Sequence, residues 1–134
     1  DFMLPRSQAN SFLQGMQDLL NVWPIWFLPM RNIKSNNRQA PFAGATIQGH
    51  FTNIGTYGIP IKRFDFIEHN KFLEGTLSDH HGRKVYYSHA FYDREFFYKK
   101  LHNGGKYFDL RGKYGADKAF TDVYDKIITK NGEL

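Results

Sequence analysis

"KVYYSHAFYDREFFYKKL", residues 84–101, is the stretch on which the reading of the fold turns. Its first half, 84–92, alternates rings with small and polar groups, the period of a strand. Alternation sets Tyr87, His89 and Phe91 on one face and Tyr86, Ser88, Ala90 and Tyr92 on the other. The small residues of the second set suit packing against helices, which turns the first set outward. Asp93 then supplies a helix cap, and 93–101 reads as a helix. Rings at this density usually belong to a core, and the surface they line faces one of three things: the protein's own interior, a nucleic-acid base or a flat cofactor; a cross-strand aromatic ladder is the plainest form of it.

Upstream, 65–82 reads as a helix closed by "HHG", with Gly82 placed for the left-handed residue after the helix end. "TYGIP" (56–60) is turn chemistry, and 44–55 alternates as a strand. Residues 31–43 form a polar loop. "VWPIWFLPM" (22–30) is rich in strand formers, and Pro24 and Pro29, which cannot donate to a ladder, argue for an edge strand or an irregular one. Residues 7–20 carry Phe12, Leu13, Met16, Leu19 and Leu20 on one helical face, with Ser7 as the cap, and "FMLP" (2–5) reads as a strand. Downstream, "KYFDLRGKYG" and "FTDVYDKII" supply two short helices. The order strand, helix, strand, strand, helix, strand predicts an α+β fold: a ferredoxin-like antiparallel sheet with helices on one face, plus C-terminal helices. The sheet's other face is left for water, a ligand or another domain. We divide the chain into a ferredoxin-like part, 1–104, and a C-terminal helical segment, 105–134, within a single compact unit.

The 134 residues carry a net charge of +5, with no block of five or more like charges. That permits anionic partners and selects none. There is no cysteine, which excludes disulfides, thiolate zinc sites and a cysteine nucleophile. The most apolar run, 22–30, is too short to span a bilayer. The chain starts at Asp1 rather than methionine, as a piece of a longer protein would. The six histidines form no compact metal-binding spacing, so no metal is expected. No glycine-rich diphosphate loop, Walker loop or nucleophile elbow is present. An RNA-recognition sheet would need a basic-Gly-aromatic string that "RKVYYSHAFY" matches only in its rings.

Four collinear segments carry a family likeness: "VWPIWFLP" (22–29), "NIGTYGIP" (53–60), "VYYSHAFYDREFF" (85–97) and "KYGADKAFTDVYDKI" (113–127). Together they resemble the C-terminal quarter of the Δ24-sterol reductase (diminuto/seladin) family, FAD-dependent oxidoreductases of the vanillyl-alcohol-oxidase type. The resemblance implies that the chain is the last part of a substrate-binding cap. FAD would be held mainly by an N-terminal domain outside this segment, and NADPH is the implied electron donor. The intact protein would reduce a carbon–carbon double bond of a hydrophobic, sterol-like substrate by hydride transfer through flavin. No nucleic acid is expected as a partner. The implied location is cytoplasmic, or the cytosolic face of the endoplasmic reticulum membrane.

The resemblance places Tyr86 and His89 beside the flavin. Both can face it only if the strand is bulged; in a regular strand Tyr87 and His89 pair instead. His89, Tyr86 and Tyr87 are therefore the catalytic candidates, and His89, Tyr86 and Arg111 the cofactor-binding ones. Tyr57, Phe91 and Arg94 are the candidates for substrate contact. A histidine at 89 departs from the acidic residue of the family's sterol reductases. The alternative reading is a stand-alone ferredoxin-like binding module, for RNA or a small ligand, without catalysis.

Overall fold

The computed structural model describes residues 1–30, 49–60 and 64–129. Its order is β1 (Phe2–Pro5), α1 (Ala9–Leu20), β2 (Ile25–Met30), β3 (Phe51–Thr56), α2 (Phe66–Asp79) and β4 (Arg83–Lys84). A helical tail follows: α3 (Arg94–Phe96) running into a π-helical turn at Phe97–Leu101, then α4 (Gly104–Lys113), α5 (Ala116–Ala119) and α6 (Val123–Ile127). The strands form a four-stranded sheet in the order β2-β3-β1-β4. Every pairing in it is antiparallel. The fold is thus α+β, as expected.

Register explains why one sheet face is covered. Phe2 lies across from Ile54, and Ile54 from Phe27. Side chains alternate along a strand, so Phe2, Leu4 and Ile54 share a face. They meet Phe12, Met16 and Leu20 of α1 and Leu73 and Leu77 of α2 in one buried cluster. The i, i+4 spacing of Phe12, Met16 and Leu20 supplies α1's stripe. Each such side chain stabilises the fold by roughly 1.5–3 kcal/mol through removal from water.

Several local expectations are corrected. Ser7 does not cap α1: the cap position is Gln8, with no side-chain cap bond. The polar loop at 31–43, and 44–48 of the strand expected there, lie outside the described residues; the ladder of β3 begins at Phe51. The left-handed residue after α2 is His81 (φ 57°), not Gly82. Gly82 is required for another reason. A Cβ there would sit 2.3 Å from Leu77 Cδ1, inside the core.

The largest correction concerns 84–92. Only Arg83–Lys84 ladder with β1, and Tyr86–Ser88 form a turn and bend. Val85 N–H still donates to Asp1 O, after which Ser88 Oγ bonds back to Val85 O and folds the chain over. Phe91 N–H is then taken by Glu74 of α2 rather than by a strand. Ala90 makes a single bridge to Ile128. Strict alternation therefore fails, and the Tyr87–His89–Phe91 ladder does not form. Most of the rings instead build a second interior: Ala90, Tyr92, Phe97, Tyr98, Leu101 and Tyr107, fully or nearly buried. Phe97 lies at its centre, with ring centroids 5.5 Å from Tyr86, 4.5 Å from His102 and 5.5 Å from Tyr124.

Candidate functional site

A hollow of about 330 Å³ opens where α2, the end of β3 and the 85–90 turn meet. Phe2, Leu20, Phe64 and Phe66 give it apolar walls, while Lys84 and His89 bring it polar groups. Phe66 follows the α2 cap, Asp65, whose side chain accepts from Glu68 N–H at 2.8 Å. That cap sets the angle at which Phe66 enters. His89 stands edge-on to Phe66, centroids 5.3 Å apart at 88°. Its Nδ1 lies 2.9 Å from Thr129 Oγ1, which fixes the ring's second edge.

The polar floor was not read from the sequence. Lys84 Nζ donates to Glu74 Oε1 at 2.7 Å and to Asn70 Oδ1 at 3.2 Å. The two charged side chains are only 2% and 3% exposed. Burial pulls the Lys84 ammonium below its usual range and pushes the Glu74 carboxyl above its own; each charge opposes the other's shift. Both Glu74 oxygens also accept from Phe91 N–H at 3.1 Å. One carboxylate thus ties down both ends of the segment that carries Tyr86, Tyr87 and His89. The signal available was the i, i+4 pair Asn70 and Glu74, beside the buried Leu73 and Leu77 on α2.

The remaining sequence candidates are scattered. Tyr86 points into the second core, its hydroxyl 2.8 Å from His102 Nε2. Burial raises the Tyr86 phenol and, with Arg83 nearby, lowers His102 to about 4, so a neutral imidazole meets a neutral phenol. Tyr87 is exposed. Phe91 borders a smaller hollow of about 200 Å³ with Lys71, Glu74 and Phe96. Lys84 Nζ lies 5.9 Å from the Phe91 ring centroid. Tyr57 is exposed, its hydroxyl 3.5 Å from Asp1 Oδ1. Arg94 pairs with Asp122 at 2.5 Å and Asp125 at 3.0 Å, and lies over the Tyr98 and Tyr124 rings. Arg111 donates to the carbonyls of Phe120 and Thr121 and to Tyr107. His89 and Phe91 therefore meet around Phe66, while Tyr86, Arg94 and Arg111 engage groups of the helical tail.

The apolar walls and the Lys84–His89 side suit a flat ring system or a hydrocarbon skeleton. No glycine-rich loop among the described residues could cradle a diphosphate. No group of three or more His, Asp or Glu among them could hold a metal ion. No helix among them is long and apolar enough to cross a membrane.

Fold and hollow together define the class: an α+β unit with an apolar, partly cationic recess beside one edge of its sheet. The chain is related to Delta(24)-sterol reductase, being 30% identical to the Homo sapiens protein over 128 residues, 95% of the chain. It is 29% identical to the Rattus norvegicus protein over the same length and 26% identical to the Arabidopsis thaliana one over 145 aligned residues. It spans about a quarter of the length of these curated relatives (24% and 25%). No family model matches the chain, and no solved structure does.

Proposed function

We propose that this chain is the substrate-facing cap and C-terminal portion of a FAD-dependent oxidoreductase that reduces a carbon–carbon double bond of a sterol-like substrate. The observation that carries the reading is the relation to Delta(24)-sterol reductase along 95% of the chain. The strand order, with each helix crossing over between two parallel strands that flank a third, antiparallel one, supports a ferredoxin-like core for the cap. Tyr107 and Tyr124 pack with Phe97 and Tyr98 across the 104/105 division, consistent with one compact unit.

FAD, bound mainly by a domain outside this segment, would supply hydride chemistry, with NADPH as the electron source. What this chain supplies is a wall. Phe66 and its apolar neighbours exclude water from the reacting face. His89 donates a hydrogen bond towards developing negative charge in either protonation state, held in orientation by Thr129. Lys84 lends positive potential from behind, weakened by Glu74. Tyr57, Phe91 and Arg94 are kept as substrate contacts, Tyr86 and Tyr87 beside His89 as catalytic candidates, and Tyr86 and Arg111 as cofactor-binding ones. In a eukaryotic parent the location would be the cytosolic face of the endoplasmic reticulum membrane.

The test uses the longer protein to which this segment belongs. Purified with flavin, it should reduce a sterol carrying an unsaturated side chain at the expense of NADPH. His89→Ala should lower kcat by about 10- to 100-fold with its flavin spectrum intact. A longer protein without flavin, or with flavin and no such reduction, overturns the reading. A second reading, a self-sufficient binding module, is favoured by the apolar walls and polar groups that this chain alone brings to the hollow. It predicts saturable small-ligand binding to residues 1–134 alone, and tight stoichiometric flavin binding to them would contradict the cap reading.

A further inference from the structure

The outer edge of β2 carries apolar side chains on both faces and open backbone groups between them. β2 begins the order β2-β3-β1-β4, so its outer edge meets no strand among the described residues. The direction of its backbone groups follows from the register. Arg6 N–H donates to His50 O at 3.0 Å, one step beyond the Pro5–Phe51 pair. Hydrogen-bonded pairs alternate along an antiparallel ladder. Thr52 and Ile54 therefore also turn their backbone groups to β1, while Phe51, Asn53 and Gly55 turn theirs to β2. Met30, Leu28 and Trp26, which lie across from those three, face β3 in return. Ile25, Phe27 and Pro29 are left pointing outward, with the N–H groups of the first two and all three carbonyls. Pro29 lacks its donor on the side where an edge strand tolerates the loss. Trp26, Phe27, Leu28 and Met30 are 59%, 49%, 45% and 39% exposed. Exposed edges are ordinarily guarded by charge, yet residues 22–30 carry none.

We infer that β2 pairs with β2 of a second copy of this chain, antiparallel about a two-fold axis at Phe27, so that two four-stranded sheets become one continuous sheet. The strand is self-complementary in that register. The two Phe27 residues exchange both of their backbone bonds, and each Ile25 N–H meets the partner's Pro29 carbonyl. Only the Ile25 carbonyls, opposite the missing proline donors, stay with water. Trp26 lies directly across from the partner's Leu28 on one face, and the two Phe27 rings meet on the other. Such directly opposed apolar pairs are what stabilises a sheet, and no like charges are brought together. A shift of two residues one way sets Pro29 against the partner's Phe27 and halves the bonds. The opposite shift runs the pairing past Ile25, where the strand begins. The contact is symmetric, so assembly stops at two copies. It covers about 1,000 Å² over both copies, less than a standard interface, which makes the dimer a weak one.

The test is sedimentation velocity of the full 134-residue chain across a concentration series. A monomer–dimer equilibrium is expected, with an apparent Kd of about 10–100 µM. Phe27→Lys sets two ammonium groups against each other at the axis and should raise that Kd by at least about tenfold. Phe120→Lys, at an exposed ring of the tail, should leave it unchanged. The chain has no cysteine, so the register can be read by cross-linking. Oxidation of an equimolar mixture of the Trp26→Cys and Leu28→Cys variants should give the mixed disulfide over either like pair by about fivefold or more, because those two positions lie directly opposite. A monomer at every concentration, assembly beyond two copies, a dimer that survives Phe27→Lys, or cross-linking without preference for the mixed pair overturns the pairing. None of these outcomes depends on flavin or on the proposed reduction.

Discussion

The two interiors of this molecule are built from different materials. The sandwich core mixes aliphatic and aromatic side chains contributed by long, regular elements: Leu4 and Ile54 from strands, Met16 and Leu77 from helices. The tail's core is made mostly of rings held by short helical turns, and polar tips on those rings do part of the work. Tyr98 donates to Asp122, Tyr124 to Tyr92 O, and Tyr107 Oη accepts from Val123 N–H. Regular elements satisfy their backbone internally and need only an apolar stripe. Short turns leave backbone groups open, and tyrosine hydroxyls, aspartate caps and Arg94 close them. The tail is thereby the more polar and more pH-sensitive of the two, and Glu74 is the principal tie between them.

That tie gives the largest expected effect. Glu74→Ala leaves Lys84 buried without its carboxylate and Phe91 N–H without its acceptor. It should cost about 3–5 kcal/mol, read by urea unfolding. Replacing the pair together, Glu74→Leu with Lys84→Met, should recover much of the loss. If the single change costs under 1 kcal/mol, the tie is not what holds the two cores together. Next comes a matched pair, Phe12→Ala in one core and Phe97→Ala in the other, both rings fully buried. Each should cost about 3–5 kcal/mol. One shared unfolding transition in both variants, by far-ultraviolet and near-ultraviolet circular dichroism, would mark a single cooperative unit. Separate transitions would split it at the tie.

The difference in pH sensitivity rests on His102, 6% exposed in the tail core. Its folded pKa is lowered from 6.5 to about 4, by burial first and Arg83 second. Below 6.5 the unfolded chain takes up a proton that the folded chain refuses. The stabilisation is therefore full above pH 6.5 and is lost as pH falls towards 4. The loss amounts to about 3 kcal/mol over that window. Thermal melts at pH 7.5 and 4.5 should differ by several degrees more in the parent than in His102→Asn. Equal slopes would place the acid sensitivity elsewhere.

How much of this was legible in the sequence follows the same division. Long elements with one apolar stripe could be read: α1 from Phe12, Met16 and Leu20, α2 as a helix within 65–82, and β2 as an edge or irregular strand from Pro24 and Pro29. The 84–92 stretch could not, because its alternation is real but unused. A strand needs a partner, and beyond Lys84 the available neighbours were a helix carboxylate and a tail helix. Nothing in the spacing announces that Glu74 will take Phe91 N–H. The candidate site shared that fate. His89 and Phe91 were legible as rings near a possible ligand. Lys84 and Asn70 were hidden because charged and amide residues are ordinarily read as surface. The bond between Tyr86 and His102 joins residues sixteen apart in sequence across a π-helical turn, a geometry with no local signature.

The smallest expected effect separates geometry from packing where α2 ends. His81 holds φ 57° at an exposed position, a conformation that costs a residue with a Cβ about 1 kcal/mol. Gly82 beside it has no positive φ, yet a Cβ there would strike Leu77. The two positions therefore answer opposite changes. His81→Gly should stabilise by about 0.5–1 kcal/mol, because glycine relieves the left-handed strain and no core contact is lost. Gly82→Ala should destabilise by about 1–3 kcal/mol, as overpacking pushes Leu77 off its rotamer. Equilibrium urea unfolding of both variants reads the two signs directly. Were both substitutions to destabilise equally, the helix end would be governed by side-chain contacts of His81 rather than by its backbone, and the sandwich core would reach one residue further than its packing implies.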